Sequence, residues 1–207
     1  MRIGGFTKQS FIDWDGKTVA VIFTKGCNFR CGYCHNPSLV LPKLLNIQPD
    51  IPEKTILNYL AERKEWLDGV VVTGGEPTIH KDLDRFLHVI KETGMPVKLD
   101  TNGSHPEVLQ ELIGKKLVDY VAMDIKTILE APEYMAITGN KDAYLTEKVT
   151  RSLHILRDSE IAYQLRTTIL PEFHQQETIL ALKNNYAADD HVFQKYRDGM
   201  VIERVFG

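Results

Sequence analysis

Short runs of apolar and β-branched residues alternate along the chain with longer amphipathic segments, and this alternation predicts the secondary structure. The runs with the composition of β-strands are Thr18–Thr24, Val70–Thr73, Val97–Thr101, Tyr120–Ile125, Tyr163–Leu170 and His191–Tyr196. Several of them are almost wholly apolar, which is typical of strands covered on both faces in a parallel sheet. The pattern therefore predicts a parallel sheet.

Apolar stripes with helical spacing lie between those runs. The clearest stripe has apolar side chains at i, i+3, i+4 and i+7, namely Leu83, Phe86, Leu87 and Ile90. Further helices are marked by Ile56 with Leu60; by Val108, Leu109, Leu112 and Ile113; by Leu145, Val149, Leu153 and Leu156; and by Ile179 with Leu182. Ser104 and Glu107 have the spacing of a capping box with an early proline, which predicts where the helix of Val108 begins.

The order of these segments predicts the fold class. Six strand–helix units in sequence indicate an α/β domain with a parallel sheet and right-handed crossovers, either open or curled into a partial barrel. A full (β/α)8 barrel needs eight units and typically about 250 residues. No linker or fixed-period repeat divides the chain, so we expect a single domain, residues 1–207, built as an incomplete (β/α)6 TIM-like barrel.

Composition and charge exclude several function classes. Hydrophobic residues make up 43% and charged residues 26% of the chain, as in ordinary globular proteins. The net charge of -3 provides no basic field for nucleic acid or an anionic membrane. The longest apolar run, Val19–Phe23, is far shorter than a membrane span, and the first residues lack the apolar core of a signal peptide. We therefore expect a cytoplasmic protein with neither a nucleic acid nor a membrane as its partner.

The three cysteines of the chain, Cys27, Cys31 and Cys34, lie within one short segment. An odd number of cysteines, packed this tightly without a secretory signal, indicates metal binding or redox chemistry rather than disulfides. Three thiolates on a cubane iron–sulfur cluster leave one iron open to an external ligand, whereas electron-transfer clusters usually close all four positions with cysteine. An open metal position is typical of a site that performs chemistry.

Three other interpretations of this segment remain open at the level of sequence. Structural zinc could take the three cysteines with His35, although four ligands within nine residues make a cramped site. Cys31 and Cys34 could form a redox pair, which leaves Cys27 unexplained. Inert buried cysteines are the third alternative, and the polar, glycine-containing surroundings disfavour it.

Four polar or glycine-rich elements follow predicted strands and should meet at one edge. They are the cysteine segment, Gly74–Pro77, Asp100–Gly103 and Asp124–Lys126. Ligands of parallel α/β folds bind at the carboxyl ends of the strands, so this edge is the predicted site. Gly74 and Gly75 allow a close backbone approach there, because no Cβ intervenes. Turn chemistry alone would also explain Asp100–Gly103.

The segment Gly26–Pro37, GCNFRCGYCHNP, resembles the cluster loop of the radical S-adenosylmethionine (SAM) superfamily, with Tyr33 at the aromatic position before the last cysteine. The stretch Ile3–Lys17 resembles the start of the anaerobic ribonucleoside-triphosphate reductase activating proteins, to which the pyruvate formate-lyase activating enzymes are close. Asp15 stands where that subfamily usually has proline. The likeness continues to Gln194–Gly199.

The resemblance implies two cofactors and a set of residues that hold them. Cys27, Cys31 and Cys34 would bind one [4Fe-4S] cluster per chain, and SAM would chelate the open iron. The resemblance implies that SAM is surrounded by Tyr33, Gly74, Gly75, Glu76, Pro77, Asp124 and Lys126. A position on or after a predicted strand adds Asp100, Thr101, Thr168 and His174 as candidates.

Each group in this set has an expected role. Backbone carbonyls of Gly74–Pro77 would receive the SAM amino group, with Glu76 shaping the turn. Asp100 and Thr101 would take the amino group or the ribose, and Asp124 and His174 the ribose. Lys126 would pair with the methionine carboxylate. Thr168 would face the barrel interior with Arg166.

The implied function is that of a radical SAM activating enzyme. A radical generated from SAM would remove hydrogen from a backbone glycine of a large partner, most directly the anaerobic reductase, with a flavodoxin- or ferredoxin-type protein as electron donor. No cysteines remain for a second cluster. Activation of another glycyl-radical enzyme, such as pyruvate formate-lyase, is an alternative. Others are a radical SAM reaction on a small nucleotide-related molecule and, more remotely, a zinc-binding module.

Overall fold

A seven-stranded sheet runs through the protein in a computed structural model that describes residues 1–197, 199, 201 and 202. The strands follow one another in chain order: β1 (Ile3–Ser10), β2 (Val19–Thr24), β3 (Gly69–Gly74), β4 (Val97–Thr101), β5 (Tyr120–Asp124), β6 (Ala162–Ile169) and β7 (His191–Lys195). From β2 to β7 every neighbouring pair is parallel, whereas β1 runs antiparallel to β2. The predicted α/β class and the six parallel strands of an incomplete barrel are confirmed.

The first strand, β1, is the part of the sheet that the hydrophobic pattern did not predict. Its sequence, IGGFTKQS, contains two adjacent glycines and does not alternate, and only its two end residues, Ile3 and Ser10, are buried. An edge strand with one partner and two register shifts needs little apolar surface, so the usual signal is weak.

Helices cover the sheet between successive strands. They are α1 (Pro37–Val40), α2 (Glu53–Arg63), α3 (Leu83–Lys91), α4 (Pro106–Gly114), α5 (Ala131–Thr138), α6 (Leu145–Asp158) and α7 (Gln176–Asn185), with a 3-10 turn at Pro77–Ile79. The predicted stripes lie in α2, α3, α4, α6 and α7. The predicted capping box is wrong, because α4 begins after His105 without a side-chain cap and Ser104 bonds to Asn102 instead.

Strand residues alternate between two cores. One set of side chains packs under the helices, and the other forms a small inner cluster of Trp14, Val19, Val21 and Val71, with Phe23 and Tyr120 against it. Trp14 precedes β2 and closes the amino-terminal end of this inner space. Toward the carboxyl ends of β4 to β6 the inner positions become polar, beginning with the buried Lys98. The alternation therefore builds an apolar floor beneath a polar cavity.

The helices of the described part of the chain include none that is long and apolar enough to cross a membrane. The predicted segment Gln194–Gly199 lies at the end of β7 and beyond, and its Asp198 lies outside the described residues.

Four buried or half-buried histidines predict that acid will destabilise the fold. Burial lowers the pKa of His80, His105, His174 and His191. The unfolded chain binds these protons near pH 6.5, so stability is fully present above that pH and falls as the pH drops below it. Thermal melts followed by circular dichroism should give a melting temperature several degrees lower at pH 5.5 than at pH 7.5.

A matched pair of variants isolates this effect. His191→Gln should shrink the difference between the two pH values, because the half-buried His191 then no longer titrates. His154→Gln, at an exposed position of α6, should leave it unchanged. Equal effects of the two substitutions would contradict the explanation.

Candidate active site

The cysteine segment leaves the carboxyl end of β2 and forms a loop that is tied down on both sides. The Gly26 amide donates to the Leu39 carbonyl at 2.6 Å, and the Arg30 amide donates to the Thr138 carbonyl at 2.7 Å. The Arg30 side chain donates to the Cys27 carbonyl at 2.6 Å, and Phe29 is buried as an anchor. A short segment with no regular structure of its own is thereby held in one conformation.

All three cysteines are free thiols. Burial raises the pKa of Cys27 to about 12 and also raises the pKa of Cys31 and Cys34. The thiols are therefore protonated until a metal binds, and binding releases those protons. Among the described residues, no three His, Cys, Asp or Glu side chains could hold a metal ion between them. That finding concerns a single ion. In an iron–sulfur cluster each thiolate binds a different iron, so the three sulfurs need not meet around one point.

The thiols line one side of a cavity of about 310 Å³ at the carboxyl ends of the strands. This cavity brings together the predicted site residues from five elements: Cys27, Cys31, Tyr33, Cys34, Gly74, Gly75, Glu76, Asp100, Thr101, Asp124, Lys126 and Thr168. The lining also contains Phe29, His35, Asn36, Val40, Thr73, Asn102, Arg166 and Gln194. The expectation that four strand-end segments meet at one edge is therefore met by the fold.

Two predicted residues do not line this cavity. Pro77 is buried in the 3-10 turn after β3. His174 is 4% exposed, and both of its ring nitrogens bond to backbone. Nδ1 accepts from the Leu170 amide at 2.9 Å, so Nε2 carries the proton and donates to the Lys126 carbonyl at 2.9 Å. A contact with the ribose would require one of these bonds to break.

Gly74 and Gly75 bring two loops into backbone contact. A Cβ on Gly75 would lie 1.9 Å from the Gly26 carbonyl oxygen, and one on Gly74 would lie 2.4 Å from the Thr24 amide nitrogen. Gly74 also has a φ of +114°, in the region that favours glycine. The Glu76 amide then donates to the Gly26 carbonyl at 2.8 Å. The close approach that Gly75 allows is therefore made by the cysteine loop itself, and the one that Gly74 allows is made by the end of β2.

The Glu76 carboxylate is buried and fully engaged. It accepts from the Thr78 amide at 3.1 Å, the Thr78 hydroxyl at 2.5 Å, the Thr101 hydroxyl at 2.7 Å and the Asn102 amide at 2.7 Å. Burial raises the pKa of Glu76, and these donors act in the opposite direction. The side chain joins the end of β3 to the end of β4, and its bond to the Thr78 amide caps the 3-10 turn.

The same cavity is lined by four charged side chains, Asp100, Asp124, Lys126 and Arg166, which form a ladder across β4, β5 and β6. Lys126 Nζ donates to Asp124 Oδ2 at 2.9 Å. Arg166 Nε donates to Asp124 Oδ1 at 2.9 Å, and Arg166 Nη1 donates to Asp100 Oδ2 at 3.1 Å. Burial opposes the ionisation of Asp124, but Arg166 and Lys126 hold its pKa at about 2. The same pairing raises the pKa of Lys126, so Asp124 and Lys126 are both charged.

Of the residues in this ladder, Arg166 is the one whose role the sequence indicated most weakly. Its alternation with Thr168 on β6 indicated an inward direction, but only the structure shows the guanidinium bridging two carboxylates. The sequence signal for this role was an arginine at an inward position of β6, a strand that ends beside Asp100 and Asp124. Arginine suits this task because its planar fork can bond two carboxylates at once.

Arg166→Ala should therefore destabilise the protein by about 3–5 kcal/mol, because it leaves buried charges without their partner. Arg166→Lys should recover only part of this loss, since one ammonium cannot bond both carboxylates in the same way. Arg151→Ala is the matched control, because Arg151 pairs with Glu107 in the solvent and such pairs contribute about 0–1 kcal/mol. Urea unfolding measures all three. Equal stability of the two alanine variants would refute the assigned role of the ladder.

The cavity fits an iron–sulfur cluster together with a ligand that carries both an amine and a carboxylate. Two buried atoms of the lining, Tyr33 Oη and Asp100 Oδ1, make no hydrogen bond within the part of the chain that the structure describes, although Lys98 Nζ lies 3.6 Å from Asp100 Oδ1. Buried polar atoms are normally satisfied, so each calls for a polar ligand. The Lys126 ammonium at the end of the ladder suits a carboxylate, and the three free thiols suit iron. The fold and the site thus define a class of α/β enzymes that bind an iron–sulfur cluster and a small polar ligand together at the carboxyl ends of the strands.

Comparisons with known proteins place the chain within that class. Residues 21–182 match the model of the Radical SAM superfamily. A Methanocaldococcus jannaschii protein named "Putative glycyl-radical enzyme activating enzyme" is 35% identical over 86% of this chain and 72% of its own length. The pyruvate formate-lyase-activating enzyme of Staphylococcus aureus is 29% identical over 60% of this chain and 53% of that enzyme. The chain therefore belongs to the radical SAM superfamily and, within it, to the family of glycyl-radical enzyme activating enzymes.

A solved structure shows the same fold. Streptococcus suis SuiB bound to S-adenosylmethionine superimposes with a TM-score of 0.65 at 16% identity, over 87% of this chain and 43% of that one. The cofactors of the superfamily, a [4Fe-4S] cluster and SAM, are the pair that the site fits.

Proposed function

We propose that this chain installs a radical on a backbone glycine of a large partner enzyme, and that the partner is an anaerobic ribonucleoside-triphosphate reductase. The observation that carries the proposal is the cavity, in which three free thiols share one lining with the ion pairs of Lys126, Asp124 and Arg166 at the carboxyl ends of the strands. The relatives named as activating enzymes support the reaction. The resemblance of Ile3–Lys17 to the reductase activating proteins supports the choice of partner.

In this proposal each part of the cavity holds one part of the cofactors. Cys27, Cys31 and Cys34 hold the cluster, and Lys126 pairs with the SAM carboxylate. Asp100 Oδ1, which lies 3.6 Å from Lys98 Nζ, accepts from the amine or the ribose. When bound, the cluster supplies one electron for the cleavage of SAM, and the cleaved cofactor supplies the radical that removes a hydrogen atom from the substrate.

The protein's own contribution is orientation and a preset charge pattern. Asp124 holds Lys126 in position through its 2.9 Å bond, and Arg166 in turn fixes Asp124. The charges are paired before any ligand arrives, so little reorganisation is needed when it binds. Phe29 and Val40 supply apolar surface to the same cavity, which limits the access of water.

The partner reaches the cavity from the open side of the barrel. Within the part of the chain that the structure describes, the sheet order ends at β7 and does not return to β1, so these two strands leave a gap between them. Gln194 on β7 lines the cavity beside that gap. An extended loop of a partner could enter there and complete the enclosure. A flavodoxin- or ferredoxin-type electron donor and a cytoplasmic location, with no nucleic acid or membrane involved, complete the proposal.

The test is anaerobic incubation of the chain with SAM, a reductant and the candidate reductase, followed by electron paramagnetic resonance. We expect a glycyl radical doublet on the reductase, which disappears when the target glycine is replaced by alanine. SAM cleavage without a doublet would reject the reductase. It would direct the search to another glycyl-radical enzyme, such as pyruvate formate-lyase, or to a small nucleotide-related substrate.

A further inference from the structure

Asn28, which follows the first cysteine, connects the cysteine loop to two distant parts of the chain. Its side-chain Nδ2 donates to the Ser104 hydroxyl at 2.8 Å, and its Oδ1 accepts from Asn102 Nδ2 at 3.0 Å. Its backbone carbonyl accepts from Asn140 Nδ2 at 3.1 Å. Ser104 and Asn102 lie in the loop after β4, and Asn140 lies just beyond α5. Asn28 itself does not contribute to the lining of the cavity.

The connection continues from Asn102 to the end of β3. The Asn102 amide donates to Glu76 Oε2 at 2.7 Å, and Asn102 Oδ1 accepts from the Ser104 amide at 3.0 Å and from its hydroxyl at 2.6 Å. Asn102, Ser104 and Glu76 are each no more than 6% exposed. A continuous chain of hydrogen bonds, buried from Asn102 onward, thus runs from the cysteine loop through the loop after β4 to the segment Gly74–Pro77.

This series of hydrogen bonds requires asparagine at position 28, where the series begins. The amide of Asn28 donates with one atom and accepts with the other at the same time. Alanine removes both bonds, so the Asn102 side-chain amide loses its acceptor, while the Ser104 hydroxyl keeps its contacts with Asn102 and His105. Aspartate keeps the acceptor for Asn102 but has no donor for the Ser104 oxygen.

We propose that Asn28 is a positioning residue that sets the distance between the cysteine loop and the strand ends on which the second cofactor rests. This inference rests on the proposed use of the cavity for a cluster and SAM. Two cofactors held by different loops react only if the loops keep their spacing, and a displacement of about 1 Å can cost about 100-fold in rate. The backbone contacts of Gly26 fix the start of the cysteine loop, and Asn28 fixes the loop to β4.

The test compares Asn28→Ala, Asn28→Asp and Asn58→Ala, the last being the control because Asn58 is an exposed asparagine on α2. Iron and sulfide content, SAM cleavage per cluster and the effect of SAM on the electron paramagnetic resonance spectrum of the reduced cluster are measured for each. We expect Asn28→Ala to retain cluster but to lose about 100-fold in cleavage per cluster, mainly in kcat. It should also show a weakened SAM-induced spectral change. Asn28→Asp should fall between Asn28→Ala and the native chain.

A purely structural role would lower only the melting temperature or the cluster content and leave cleavage per cluster unchanged, and that result would overturn the proposal. If Asn28→Ala does not fold, Ser104→Ala removes one bond of the chain and should lose about 10-fold in cleavage per cluster. Wild-type cleavage in Ser104→Ala would then overturn the proposal.

Hydrogen exchange separates this inference from the proposed function. In Asn28→Ala, but not in Asn58→Ala, the amides of Asn102 and Ser104 should exchange faster, whether or not the chain cleaves SAM. Unchanged exchange would refute the connection itself. A native chain that cleaves no SAM, with faster exchange in Asn28→Ala, would refute the function and leave the coupling of the loops in place.

Discussion

Gly75→Ala should disrupt the junction on which the candidate active site is built. Its new Cβ would lie 1.9 Å from the Gly26 carbonyl oxygen, which belongs to the backbone and cannot rotate away as a side chain could. The two loops must separate, and the bond from the Glu76 amide to Gly26 must break. We expect a loss of about 3 kcal/mol or more in the free energy of unfolding, together with most of the iron and sulfide. Urea unfolding and metal analysis measure the two effects.

Gly114→Ala is the control for this prediction. Gly114 ends α4, and a Cβ built on it meets nothing within 4 Å. Alanine there should be neutral or should stabilise the protein by about 0.4–1 kcal/mol, because it restricts the unfolded chain without a clash. If the two variants behave alike, the close contact between the loops does not constrain the fold.

Cys27→Ala should abolish the cluster, and the same holds for Cys31→Ala and Cys34→Ala, because each thiolate would hold a different iron. His35→Ala should keep it. His35 lines the cavity and stacks on Tyr196 with ring centroids 5.5 Å apart, yet a three-cysteine cluster does not need it as a ligand. The measurement is the iron and sulfide content per chain after anaerobic reconstitution. We expect about four of each in the native chain and in His35→Ala.

This comparison also decides between the cluster and structural zinc. A site of three cysteines and one histidine would lose metal in His35→Ala as it does in Cys27→Ala. Retention of iron in His35→Ala and loss in all three cysteine variants is the pattern that the cluster requires. Loss of one zinc per chain in all four variants would contradict it.

The hydrophobic pattern was sufficient for the parallel part of the fold and for the edge at which the site lies. Runs such as Val97–Thr101 are buried on both faces, so their signal is strong and their position fixes where the following polar residues meet. The helix α5 was not predicted, because only a few of its residues, among them Tyr134 and Ile137, are buried. Its consequence for the site is direct, since Thr138 at its end holds the cysteine loop.

Contacts between particular pairs of residues could not be predicted from the sequence, for a different reason. Asn28 and Ser104 are 76 positions apart, and nothing in their local sequences indicates that they meet. The same applies to Arg166, whose two aspartate partners lie on two other strands. His174 shows the converse, because a histidine in a loop after a strand suggested a ligand contact, whereas backbone bonds occupy both of its nitrogens.

The most direct test of the account is the reductive cleavage of SAM by the anaerobically reconstituted chain. Formation of 5′-deoxyadenosine should require both the reductant and the cluster, and should be absent in Cys27→Ala while remaining in His35→Ala. The account predicts a brown protein that makes this product. A colourless protein that carries zinc and forms no 5′-deoxyadenosine would contradict it.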